Sequence, residues 1–518
     1  MEKEYVIGLN RGVDTVQFWK DVETITTLDN IPNRAIEVAN ARSGSNRLTH
    51  YYLTDEESEL IRQDERVYVV EIPPDQRDDI QIGLNAIQPS GSNNNFTKYS
   101  TNGVGNVKNW GLIRHKSLDN NYGTSYTNNE DYTYVLDGSN VDVVIQDTGI
   151  QADHPEFTDV DGNSRLQQID WYTVSGISGT QPSGFYTDYD GHGTHCAGIT
   201  AGKTFGFAKG ARIYAQKVAG LQGASDPNSG IPISDVFDTI RLWHASKSGS
   251  RPTVVNMSWG YGSNLSAGGI TAVNYRGSSV TGTNYADDYG IATYSPSNVW
   301  RVNARVSSVD VDIQELVDAG VMVVVAAGNL NYKIDVPSGV DYDNNFVAGG
   351  ITYYYHRGSS PYDDEAFIVG SVSYQSQNAN EDKKSNFSNA GPGVDVYAGG
   401  HYIVSAMSET NRFTDATYYD DNNFLQATLN GTSMAAPQVA GVIALMCQAN
   451  PKATPASVKS SLLAKSGDAF LTGSSDADYS DDSTMGGDNK VLFNPFSQTP
   501  EPGNVTGIDS ITTNILLK

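Results

Sequence analysis

Four apolar, β-branched runs constrain the fold of this chain more than anything else in it: residues 141–146, 212–218, 254–259 and 321–327. Helical patterns at 234–246 and 306–319 lie between them. A strand that is apolar along its whole length needs cover on both faces, and helices alternating with such strands supply it. The expected class is therefore α/β, a doubly wound and mainly parallel sheet. Sheets of this kind hold their sites at the carboxyl ends of strands. Asp147 and Asn329 stand at two such ends.

A smaller α+β unit is expected ahead of this sheet, over residues 1–77. Its run 4–9 reads as a strand, 14–22 as a short helix and 34–39 as a further strand. Thr54 followed by Glu57 is a capping-box pair opening a helix over 54–61, and 67–72 is a strand stopped by Pro73 and Pro74. The rhythm is βαββαβ-like. Residues 78–109 are rich in Asn, Ser and Gly without periodicity and read as a linker. The main unit covers 110–498. It is interrupted near 261–300, 330–365 and 408–423 by polar stretches expected to be surface excursions, and 499–518 is a polar tail.

The 518 residues include 34 basic and 60 acidic side chains, a net charge of −26. That sign argues against a nucleic-acid partner, whose phosphates require basic patches. No apolar run reaches the roughly 18 residues of a membrane span, and the start lacks the apolar core of a secretory signal. The expectation is an intracellular or particle-associated protein rather than one exported by classical secretion. The two cysteines, Cys196 and Cys447, fall inside apolar helical patterns and read as buried thiols, which excludes a disulfide framework.

Three segments carry an acid, a base and a nucleophile in that order: Asp147-Thr148-Gly149, Gly191-His192-Gly193-Thr194-His195, and Gly431-Thr432-Ser433-Met434-Ala435-Ala436-Pro437. A serine hydroxyl attacks well only when a neighbouring base takes its proton. Ser433 begins a helical pattern, where the positive end of the helix dipole favours a developing oxyanion. His192 also opens a helix, between two glycines that admit other backbone closely. Asp147, ending a buried strand, can accept the second imidazole N–H and hold the tautomer. Asn329 follows the 321–327 run and can donate to the oxyanion. Singly, each has a plainer use: a strand-end turn for Asp147 and Asn329, a helix cap for His192 and Ser433. Four together, each at the end of the right kind of element, select the catalytic reading. His195 is read as structural and Cys196 as packing.

These segments, with His154-Pro155, Val255-Asn256-Met257-Ser258-Trp259-Gly260 and Ala326-Ala327-Gly328-Asn329, resemble the subtilisin-like serine peptidases, the subtilases, over roughly residues 110–486. The resemblance implies peptide-bond hydrolysis through an acyl-enzyme on Ser433, with His192 and Asp147 completing the triad and Asn329 as oxyanion donor. It implies a polypeptide substrate added as a strand to Gly223-Ala224-Ser225 and Ser258-Trp259-Gly260. Trp259 would wall a pocket or sit in the core, and Asp335 would floor the main specificity pocket and favour Lys or Arg. The 1–77 unit resembles the family's ferredoxin-like propeptide, which implies a self-inhibited precursor cut within residues 73–107. The chemistry needs no cofactor. Calcium is implied as a structural ion, and Asp159, Asp161 and Asn163 offer oxygens in a loop that departs from the usual calcium pattern at its sixth position and at Asp170. The competing expectation is a structural or assembly protein, of a virus particle for example, whose termini are held by partners and whose site stays latent.

Overall fold

In a computed structural model the chain is described over residues 1–84, 109–118, 120, 132, 134–221, 230–247, 249–266, 270–281, 285–291, 299–373, 382–413, 417–418, 424–468, 479–480 and 482–497. The four runs form adjacent strands of one nine-stranded sheet. From one side its parallel part reads Arg212–Lys217, Asp142–Asp147, Thr253–Met257, Met322–Ala326, Phe367–Ser373 and Val396–Gly399. In chain order that is 2-1-3-4-5-6. The direction of winding therefore reverses between Asp142–Asp147 and Thr253–Met257, and an open α/β sheet forms its site crevice at that point.

Both faces of the sheet are covered, as the apolar strands require. The helices His192–Ala201 and Thr432–Ala449 pack on each other and on the strands, and Ile233–Ser246 and Ser307–Asp318 form a second helix pair. Pro437 lies inside the Thr432–Ala449 helix and leaves the Ser433 carbonyl without its intrahelical donor; Ser258 Oγ bonds that carbonyl instead (3.0 Å). Every residue of that helix from Thr432 to Cys447 is buried, which accounts for its lack of a polar face.

The N-terminal unit is a four-stranded antiparallel sheet in the order Val38–Asn40, Leu48–Leu53, Lys3–Leu9, Val67–Glu71. With helices Thr15–Glu23 and Asp55–Ile61 this is the ferredoxin-like βαββαβ arrangement. The capping box is present: Glu57 N–H donates to Thr54 Oγ1 (3.2 Å) and Thr54 N–H to Glu57 Oε2 (2.9 Å). The expected strand at 34–39 is confined to Val38–Asn40. Ile36 N–H instead bonds the carbonyl of Val22 and Arg34 pairs with Glu57, so these residues tie the sheet to the helices. The central strand Leu48–Leu53 was not anticipated.

Three further expectations are corrected. Part of the 78–109 stretch is a strand, Gln81–Leu84, held by main-chain pairing that needs no apolar pattern; residues 85–108 lie outside the described residues. The stretches near 261–300 and 330–365 come together in the fold. Strands Ile270–Tyr275 and Ser278–Val280 from one join Asn345–Ala348 and Ile351–Tyr354 from the other in a single antiparallel sheet. Leu265, Val273, Ile291, Val302, Tyr332, Phe346 and Tyr355 give it a core of its own. Within 408–423, Thr417–Tyr418 pairs with Leu425–Leu429, and the rest of 414–423 is not described.

The N-terminal unit packs on the Ser307–Asp318 helix and is fastened there by charge. Arg42 is buried between two carboxylates, bonding Asp238 through both Nε (2.8 Å) and Nη2 (3.0 Å) and Asp312 through Nη2 (2.7 Å). Burial works against the guanidinium's charge, but the two carboxylates outweigh it and raise its pKa. Glu71 Oε1 accepts the Ser308 N–H (2.7 Å) in the first turn of that helix, and Glu315 Oε1 accepts the Asn46 N–H (3.0 Å). Val6, Leu48 and Val311 form a small apolar cluster across the same contact.

Candidate active site

Asp147 ends the Asp142–Asp147 strand, and its Oδ1 lies 2.8 Å from His192 Nδ1. A short chain of hydrogen bonds fixes the histidine. Thr148 Oγ1 accepts the Gly193 N–H (2.9 Å) and donates to Asp188 (2.8 Å). Asp188 also accepts the N–H groups of Gly191 and Thr194, both at 2.9 Å, and so caps the helix that His192 opens. Gly193 permits this approach: a Cβ there would stand 2.1 Å from the Gly149 carbonyl oxygen. Asp188 was missed in the sequence. An aspartate four residues ahead of a Gly-His-Gly helix start is the cap signal that would have found it.

Burial works to lower the pKa of His192, but the Asp147 carboxylate acts the other way and prevails, holding it well above its ordinary value. Its Nε2 is buried and has no hydrogen-bond partner among the described residues. His195, one turn along, bonds the Ala427 carbonyl through Nε2 (3.0 Å), and burial brings its pKa down to about 3. It is a neutral strut, as expected. Cys196 is buried under the site, its Sγ 3.5 Å from the Ser433 carbonyl, and burial raises its pKa.

Ser433 lies in the first turn of Thr432–Ala449, and its Oγ donates to the Ser258 carbonyl at 2.9 Å. Ser258 Oγ returns a bond to the Ser433 carbonyl (3.0 Å) and accepts from Asn256 Nδ2 (2.9 Å). Asn329 Oδ1 accepts from both the N–H and the Oγ1 of Thr432, each at 2.9 Å. This holds the amide oxygen on Thr432 and turns the NH2 end away from it. Asp147, His192 and Ser433 are all fully buried.

The segment 258–260 is engaged by the chain itself. Strand Trp259–Ser266 pairs antiparallel with Gln81–Leu84, in the register Leu84 to Trp259, Gly83 to Gly260, Ile82 to Tyr261 and Gln81 to Gly262. Residues 81–84, Gly260, Asn303, Asn329, Ser359 and the ion pair Asp190–Arg412 (2.7 Å) line one cleft of about 430 Å³. Burial pushes the Asp190 carboxyl up to about 6, with Arg412 and His192 restraining it. Of the other expected substrate contacts, Gly223, Ala224 and Ser225 lie outside the described residues.

Residues 138–493 match the family model described as Peptidase S8, the subtilase family. The chain belongs to the subtilase family. This subtilase is 28% identical over 332 residues to the "Extracellular serine proteinase" of Thermus sp. (strain Rt41A), covering 64% of this chain and 56% of that one. It is 27% identical over 388 residues to "Alkaline serine exoprotease A" of Vibrio alginolyticus, covering 74% and 50%. The chain thus spans about half the length of these two relatives. Among solved structures, fervidolysin from Fervidobacterium pennivorans, a keratinolytic enzyme related to subtilisin, superposes with a TM-score of 0.51 at 19% identity over 97% of this chain and 62% of that one, a likeness of fold.

One expected role in this subtilase is corrected and one alternative selected. Trp259 is fully buried against Phe237 and Tyr261 and is not among the residues lining the cleft, which is the core placement of its two expected ones. Asp335 is buried outside the cleft lining. Its carboxylate accepts the N–H groups of Val336 and Asp341, both at 2.9 Å, and lies 3.6 Å from Lys333, so it organises its own loop. Asp159 Oδ1 accepts the N–H groups of Asp161 and Asn163, and its Oδ2 accepts from the Asn163 amide. The loop's own donors thus bond both oxygens of the Asp159 carboxylate in this acidic turn. No helix among the described residues is long and apolar enough to cross a membrane.

Proposed function

We propose that this chain is a serine endopeptidase held as a self-inhibited precursor. The observation carrying the reading is the pairing of its own Gln81–Leu84 with the strand that leaves Ser258, the residue whose carbonyl holds the Ser433 hydroxyl. In the reaction, Ser433 Oγ attacks a peptide carbonyl carbon while His192 Nε2 takes its proton, and Asp147 steadies the imidazolium. The oxyanion is met by the Asn329 NH2 and the Ser433 N–H. The histidine then protonates the leaving amine, and water cleaves the acyl-enzyme by the same steps. All the reacting groups come from the chain and its polypeptide substrate. Attack requires the hydroxyl to turn from the Ser258 carbonyl to His192.

Self-processing tests the precursor reading. N-terminal sequencing of incubated wild-type chain is expected to find a new terminus within the first few residues after Leu84. A chain that stays whole, or whose Ser433→Ala variant is cut at the same place, contradicts it and favours the latent, structural reading.

Asn329→Ala is expected to lower turnover by about 10²–10³, the cost of losing such a donor in subtilisin itself, with KM little changed. A KM effect alone, in steady-state kinetics, would remove Asn329 from the oxyanion site.

The pH profile tests the base. His192 must be neutral to accept a proton, so hydrolysis rises with pH through its pKa. Asp147→Asn removes the raising charge and leaves burial, so the acid limb of kcat/KM moves to lower pH while the plateau falls about 10⁴-fold. The proton is held more tightly in the folded chain than in the unfolded one. The histidine's contribution to stability is therefore complete below the unfolded value of 6.5 and is lost as pH rises through the folded value.

A further inference from the structure

Asn303 lines the cleft from the end of the Val299–Asn303 strand, just past the 261–300 stretch that the sequence presented as an interruption. It is 7% exposed, and its Nδ2 is buried without a hydrogen-bond partner among the described residues. A buried amide donor left unmade costs about 1–3 kcal/mol, so its presence at a cleft wall calls for a partner that arrives from outside.

Strand register says which part of a substrate would meet it. Asn303 is opposite Gly262 on the Trp259–Ser266 strand, so the two share a face, and alternation puts Gly260 on that face too. Gly83 is opposite Gly260 on the other side. A substrate strand in the register of 81–84, continued one residue beyond Leu84, comes opposite Ser258, whose carbonyl holds the Ser433 hydroxyl. That residue carries the bond to be cut, and its side chain emerges on the face of Gly260, Gly262 and Asn303, as do those of the residues aligned with Gly83 and Gln81. Of the three it is the one opposite Ser258, where the cleft also meets Asn329, whose neighbour Gly328 is the link to Asn303. Glycine at both positions keeps side chains of this strand off the face, and at Gly260 Ser359 Oγ closes in, 2.7 Å from where a Cβ would stand, as a further polar group of the lining. The far wall is polar as well, since the Asn303 oxygen lies 3.7 Å from where a Cβ on Gly328, next to Asn329, would be.

We propose that Asn303 is the specificity-determining residue of the cleft and selects a hydrogen-bond-accepting side chain, Gln, Asn, Glu or Asp, at the residue whose carbonyl is attacked. The proposal rests on the catalytic reading above and names the substrate class for that site. It replaces the preference for Lys or Arg expected from Asp335, whose carboxylate is occupied elsewhere. The chain's own sequence agrees, because the residue after Leu84 is Asn85, which carries such an oxygen.

The test is a set of extended peptides varied only at the residue before the cut, digested by the purified chain and read by mass spectrometry. Wild type is expected to cleave after Gln about 5- to 10-fold faster than after the similarly sized Leu or Met, the worth of one neutral hydrogen bond. Asn303→Leu should abolish that ratio. Asn303→Asp, which offers only acceptors, should turn preference away from Glu and Asp and towards Lys and Arg. Fluorophosphonate labelling of Ser433 in each variant shows that the site is folded and separates the two claims. Loss of labelling in the wild type overturns the catalytic reading. Labelling with equal cleavage after Gln and Leu, or a Gln preference surviving in Asn303→Leu, overturns the assignment of Asn303 alone.

Discussion

Ser433→Ala is expected to lower peptide hydrolysis by about 10⁴–10⁶ and to leave the chain uncut after Leu84. Effects of that size follow when the attacking oxygen is lost, because the base and the oxyanion donors act only through it. His192→Ala should cost about as much, and the double variant little more, since the two residues act as one unit. Ser433→Ala removes only the hydroxyl's bond to the Ser258 carbonyl, while the Ser258 Oγ bond to the residue's own carbonyl and the two Asn329 bonds to Thr432 remain. Thermal unfolding should therefore stay close to wild type. Steady-state rates on a fluorogenic peptide check the first expectation, and activity within 10-fold of wild type would place the nucleophile elsewhere.

Arg42→Ala is expected to loosen the N-terminal unit by about 3–5 kcal/mol, the cost of removing one partner from a buried ion pair. The guanidinium is the only positive group hydrogen-bonded to Asp238 or Asp312 among the described residues, and both carboxylates are buried. Burial already raises the pKa of Asp312 well above the usual carboxylate value with Arg42 in place, so its loss leaves an isolated acidic pair. Hydrogen exchange of the Ser433→Ala chain measures this without interference from cleavage. Protection should fall in the Leu48–Leu53 strand and the Ser307–Asp318 helix together. The surface pair Lys3–Asp55 supplies the control, since both partners are more than half exposed and its loss should change little.

The sheet was legible because strands covered on both faces are apolar along their length, and because the residues between them kept helical spacing. The candidate site was legible for a different reason. Asp147, His192 and Ser433 each stand within two residues of a glycine at an element end, so their local sequence marks them out. Other features depend on contacts that no local pattern carries. Arg42 meets Asp238 and Asp312 across 196 and 270 residues, and nothing near Arg42 announces either partner. Gln81–Leu84 is four residues long and held by backbone, which every sequence possesses, so it was read with the polar stretch that follows it. Asn303 reaches the cleft because its strand pairs with the strand continuing from Trp259, and only that register shows it. Asp335 illustrates the converse: its place in the sequence suggested a pocket floor, but the N–H groups of Val336 and Asp341 take its carboxylate.

The central claim is that Ser433 is a nucleophile covered by the chain's own N-terminal segment. Fluorophosphonate labelling followed by peptide mapping tests it most directly. The expected result is a single adduct on Ser433, absent in Ser433→Ala, forming slowly in the whole chain and faster once residues before the cut have left. No adduct on Ser433 in either form, or one that also forms in Ser433→Ala, would contradict the account.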